Sequence, residues 1–191
     1  MPQRKPTRAV PPKPETPSYT HALKIWLAGD VQVLYRVTAN AAERVAATLR
    51  DPGRSPSPFI VFQSDQLSIA LRRSAVRAAN VLWEPVAWAA PPVPDPAVDH
   101  PVRAILCGMC DPLLFEVEPD PAVTGAATAE PGPLATALDQ LASDRGSFVA
   151  EFRDADDEDV LLDREHLTLF EVPRIYLDPD RWAAFAAALD S

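Results

Sequence analysis

Glycine is scarce in this chain, with six among 191 residues, and so are cysteine, with two, and histidine, with three. Six scattered glycines rule out a Walker phosphate loop, a dinucleotide fingerprint and a Gly-x-Ser-x-Gly elbow, each of which needs glycines at fixed short spacing. Two cysteines make no disulfide framework. His21, His100 and His166 have no paired spacing, so the sequence offers neither a zinc quartet nor a Ser-His-Asp arrangement. No apolar run approaches the roughly 20 residues that span a bilayer. The N-terminus shows no apolar signal core, and the expectation is a cytoplasmic protein without membrane contact.

Proline is abundant instead, at 22 residues, against 47% hydrophobic and 24% charged side chains. Six prolines fall within residues 1–20 beside Arg4, Lys5, Arg8 and Lys13. A segment so poor in large apolar side chains cannot offset its ordering entropy, and it reads as a disordered basic arm. It includes a Pro-x-x-Pro at Pro14 to Pro17, a spacing common in any proline-rich tail. A second proline cluster, residues 85–101, reads as a semi-rigid linker. The expected organisation is an arm (1–20), a first lobe (21–84), the linker (85–101) and a second lobe (102–191).

The net charge of −9 is unevenly spread. Counting side chains gives +3 for residues 1–20, +3 for 21–84, −2 for the linker and −13 for the remainder. Such asymmetry bears on partners and association rather than on fold.

The hydrophobic pattern occurs twice. Ile25-Trp26-Leu27 followed by Val31 to Val37 has a counterpart 80 positions on, Ile105-Leu106-Cys107 followed by Leu113 to Val117. Both read as short strands joined by a turn, at Gly29-Asp30 and at Gly108 to Pro112. Leu71 to Val81 matches Leu162 to Val172 at an offset of 91. Between these blocks, apolar residues at helical spacing predict helices over 41–50, after a polar cap at Thr38 to Asn40, and over 133–143, with Pro133 in the first turn. Period-two alternation predicts strands near 59–62, 67–72, 76–83, 148–152, 160–162 and 167–172. Asp178-Pro179-Asp180 introduces a predicted terminal helix over 181–189. The fold expected is therefore α+β: a tandem duplication of a small antiparallel-sheet module, two strands and a helix followed by two or three strands, plus a C-terminal helix.

Three features invite a chemical reading. Cys107-Gly108-Met109-Cys110 has dithiol spacing, but a reactive thiolate needs a helix N-terminus or a basic neighbour, and here Asp111 adjoins a strand-to-turn junction. The run Asp154 to Asp159, with Asp156, Asp157, Glu158 and Asp159 at its centre, lacks the glycine and distal glutamate of a calcium loop and reads as a solvated turn. Arg72, Arg73 and Arg77 form a basic cluster that would meet phosphate, though without an aromatic stacking platform or recognition helix. No cofactor, metal site or catalytic residue is expected.

The reading that follows is a non-enzymatic protein-binding, adaptor or assembly protein. Its interaction candidates are Arg72, Arg73, Arg77, Trp83, Trp88, Asp156, Asp157, Glu158, Asp159 and Trp182. The expected partner is another protein or a second copy. Two alternatives stand beside it: a nucleic-acid-associated protein using the arm and the three arginines, disfavoured by the −13 half, and an enzyme whose site is assembled only in the fold. Opposite charge on two lobes of similar shape further suggests that they pair, with the tryptophans burying the apolar part of the contact.

Overall fold

A computed structural model describes residues 18–51, 53, 56–82, 101–118, 123–124, 131–143, 149–156, 158–180 and 183. The arm up to residue 17, residues 83–100 with Trp83 and Trp88 and all of the expected linker but Pro101, Asp157, and the terminal helix expected over 181–189 with Trp182 lie outside the described residues, apart from Ala183.

The described chain is α+β, with ten strands and two α-helices. In order these are β1 (His21–Leu27), β2 (Gln32–Val37), α1 (Ala39–Arg50), β3 (Phe59–Gln63), β4 (Leu67–Arg72), β5 (Val76–Leu82), β6 (Val102–Leu106), β7 (Leu113–Phe115), α2 (Pro133–Ala142), β8 (Val149–Arg153), β9 (Asp159–Asp163) and β10 (Leu167–Pro173). Helix α1 starts two residues earlier than its periodicity suggests, because the Thr38 hydroxyl accepts from the Ala41 amide at 3.2 Å. Such a cap satisfies one of the amides that every helix start leaves unpaired. Glu43 consequently falls outside the first turn, while Arg50 occupies the last, where its charge suits the helix dipole. Pro133 opens α2, whose Leu134, Ala137, Leu138 and Leu141 form one buried face.

Three antiparallel sheets result, ordered β2-β1-β5, β3-β4-β10-β6-β7 and β8-β9. The five-stranded sheet carries one core on each face. Phe170 and Val172 of β10 join Ala70, Ala104, Phe152 and the leucines of α2 on one side. Leu169 joins Ile69, Leu71 and Ile105 on the other, against Leu23 and Ile25 of β1 and Val45 of α1. β10 lies at the centre of that sheet, and all seven of its residues are buried. A strand covered on both faces needs an almost continuous apolar run, which Leu167 to Pro173 supplies with two polar exceptions, Thr168 and Glu171.

The division into two lobes does not correspond to a division of the sheets. β3 and β4 come from the first half and β10, β6 and β7 from the second, and the β4·β10 ladder joins them. That ladder joins the halves by main-chain pairing, and α2 adds contacts with β3 and β4.

Within each half the pairing scheme is the same. β1 pairs with β2 and β5, and β3 with β4. Likewise β6 pairs with β7 and β10, and β8 with β9. The registers correspond as well. Ile25 faces Ala79 in the first half and Ala104 faces Phe170 in the second, displacements of 79 and 91 residues. Phe62 faces Ile69, and Phe152 faces Val160, displaced by 90 and 91. Under the same displacements, the bulge that skips Arg77 in β5 coincides with the one that skips Thr168 in β10. Gly29 and Gly108, with φ of 83° and 86°, sit at corresponding points of the two hairpin turns. An L side chain rarely adopts that conformation, which explains why two of six glycines are placed there.

Candidate functional site

The sequence-derived candidates separate in space. Arg72, at the end of β4, turns inward: its Nε donates to the Leu167 carbonyl at 2.7 Å and a terminal nitrogen donates to the Arg164 carbonyl. Its guanidinium also stacks over Phe59, 5.0 Å from the ring centroid. Desolvation and the nearby Arg164 charge lower its pKa from the usual arginine value. Arg72 thus holds the turn before β10 and does not belong to a basic patch with its two neighbours. Adjacent arginines in a sequence share a surface only if the backbone keeps their direction, and the 3₁₀ turn at Arg73–Ala75 changes it.

Arg73 and Arg77 instead line a groove of about 560 Å³ between α1 and β5, together with Arg50 from the last turn of the helix. Leu23, Val45 and Leu49 contribute apolar surface to it. β5 borders the groove as the outer strand of its sheet, paired with β1 on one edge and, among the described residues, with no strand on the other. Arg77, Ala78, Ala79 and Asn80 are exposed in succession along it. An exposed strand edge presents a row of amides and carbonyls able to pair with another chain.

The acidic run forms the tip of the β8–β9 hairpin. The Asp154 carboxylate accepts from the amides of Asp156 and Glu158, at 3.1 and 2.9 Å, and so closes the turn on itself. Asp156, Glu158 and Asp159 are exposed, and Asp159 pairs with Arg153 at 3.0 Å. Among the described residues no group of three or more potential ligands is arranged to hold a metal ion. Cys107 and Cys110 are free thiols, both exposed, in the β6–β7 turn.

A second cleft, of about 680 Å³, opens at the start of α1, lined by Arg44, Gln63, Asp139 and Arg174 among others. Arg174 is already engaged: it donates to the Tyr19 hydroxyl and to the Ser64 carbonyl and lies 3.5 Å from the Asp178 carboxylate.

The most deeply buried charged group among the described residues was not among the sequence candidates. Glu171 of β10 is 1% exposed and points into the core between the two larger sheets. The Tyr35 hydroxyl, from β2, donates to its Oε1. Arg103, its cross-strand neighbour on β6, places a guanidinium nitrogen 2.8 Å from Oε2, an ionic contact whose angle falls outside hydrogen-bond geometry. Burial, followed by the charge and hydrogen bond of Glu171, raises the Tyr35 pKa well above its ordinary value, and Arg103 opposes the shift. The triad ties β2, β10 and β6 together. Its sequence signal was a lone carboxylate on the apolar face shared with Leu169.

No helix among the described residues is long and apolar enough to cross a membrane. Compared with known proteins, the chain matches no family model, no curated protein and no solved structure.

Proposed function

We propose that the protein is a non-enzymatic binding or assembly module whose working surface is the groove between α1 and β5. The observation that carries this reading is an edge of β5 that pairs with no strand among the described residues, beside a groove with apolar walls and three arginines. An extended segment laid along that edge would gain main-chain hydrogen bonds from β5, and its alternate side chains would enter the groove. Arg50, Arg73 and Arg77 select for acidic residues on that segment. The nucleic-acid alternative loses support from Arg72, which turns inward and commits two of its donors to carbonyls. We also propose that the matching ladders of the two halves descend from one duplicated unit, which gives the edge of β5 a filled counterpart in the same chain.

A labelled peptide of alternating aspartate and valine tests the reading. Fluorescence anisotropy should show binding, an N-methylated version that cannot pair should not bind, and amide exchange in β5 should slow in the complex. Equal binding of both peptides, or protection confined to the cleft at the start of α1, would overturn it.

A further inference from the structure

Resting on the proposed role of β5 as an acceptor edge, we infer that its occupant is β9 of a second copy of this chain, and that the exchange is reciprocal. The argument starts from the half in which the corresponding place is filled. β10, the counterpart of β5, is paired with β6 on one edge and with β4 on the other. The strand that corresponds to β4 is β9, and β9 is paired only with β8. The molecule thus holds one acceptor edge, β5, and one donor strand, β9, each lacking the partner that its counterpart has among the described residues. They do not form a ladder with each other within the chain. β8, which carries β9, packs on α2.

The existing ladder sets the register. In β4·β10, Ala70 faces Phe170 and Ile69 faces Glu171. Carrying both strands across by 91 residues places Leu161 opposite Ala79 and Val160 opposite Asn80. Leu161 is a large apolar residue left 62% exposed, and it would meet an alanine with room above it. Two positions further on, just past the end of the copied ladder, Asp163 would come to Arg77, whose side of the groove also holds Arg50 and Arg73. At the other end Asp159 falls opposite Val81, with the acidic tip beyond it.

Charge therefore complements along the ladder, basic on the acceptor and acidic on the donor. The existing partners of the two carboxylates, Arg153 for Asp159 and His166 for Asp163, lie in exposed pairs that can rearrange. Because each copy carries both elements, two reciprocal ladders make an isologous contact that closes on itself instead of propagating.

The test uses the full chain with Cys107→Ser and Cys110→Ser as background. Sedimentation equilibrium should show a dimer that weakens as salt rises. Arg77→Glu should raise its dissociation constant roughly tenfold, since the reversed charge enters both ladders. Adding Asp163→Arg should restore it. Ala79→Cys with Leu161→Cys should give, on mild oxidation, a disulfide-linked dimer, whereas Asn80→Cys with Leu161→Cys, one residue out of register, should not. Arg77, Ala79, Asn80, Leu161 and Asp163 all lie at the surface or partly exposed, and circular dichroism checks each variant for native structure. A monomer throughout the concentration range, or a disulfide formed within one chain, overturns the inference. The acidic peptide binding to such a monomer would leave the acceptor role of β5 standing, while loss of both would end the two together.

Discussion

Replacing Tyr35 by phenylalanine removes one hydroxyl and almost nothing else. The ring is 4% exposed and keeps its edge contact with Phe62, whose centroid is 5.6 Å away. What changes is Glu171, a carboxylate with 1% exposure that loses its hydrogen-bond donor and keeps only the ionic contact with Arg103. A hydrogen bond to a buried charge contributes about 1.5–3 kcal/mol, so the loss should be about 2 kcal/mol, or roughly 4–8 °C in Tm for a chain of this size. Urea unfolding should show a lower midpoint with an unchanged slope, because the surface exposed on unfolding is the same. The pH dependence gives a sharper test. Tyr35 has a raised pKa in the folded state and an ordinary one, near 10, once unfolded. Its stabilising effect is therefore complete below pH ~10 and is lost as pH rises through the folded value, at about 1.4 kcal/mol per pH unit. The phenylalanine variant has no such loss. The difference in stability between the two should narrow by about 1 kcal/mol between pH 8 and pH 11. A difference that stays constant with pH, or a variant as stable as the parent at pH 8, would refute the placement of that hydroxyl on Glu171.

Gly108→Ala should cost about 1–2 kcal/mol from backbone conformation alone, since φ is +86° while the space for a methyl group is open. Gly29→Ala should cost about the same, because the nearest atom, the Met109 carbonyl oxygen at 3.7 Å, is only in ordinary contact; unequal costs by urea unfolding would mean the two turns are not equivalent. Arg72→Lys should destabilise by roughly 1–2 kcal/mol, as an ammonium cannot reproduce the two-carbonyl fork and the stacking on Phe59, and the loss in a thermal melt should be insensitive to salt because the acceptors are neutral.

Local order was legible in the sequence because it depends on near neighbours. Thr38 before an apolar stripe announces α1, Pro133 opens α2, and the glycines at 29 and 108 mark hairpin turns, each through a physical preference that acts within four residues. The α+β class follows from those signals together with period-two alternation in the strands. The pairing of the strands could not be read in that way. β4 and β10 lie about a hundred residues apart, and their union in one sheet is settled by which apolar faces fit, a long-range choice that leaves no local mark. The same holds for the surface. Arg72, Arg73 and Arg77 look like one cluster in the sequence, yet the turn between β4 and β5 sends the first to two carbonyls and sets the others beside α1. Glu171 was visible only as an oddity in an apolar strand; that it would meet Tyr35 and Arg103 in the core was decided by the stacking of two sheets, because a buried carboxylate persists only where the fold brings a donor and a cation to it. The sequence by itself determined the elements and the sign of charge on each half. Tertiary structure decided which strand edges, that of β5 among them, pair with no strand among the described residues, since an edge exists only once the other strands have found their partners.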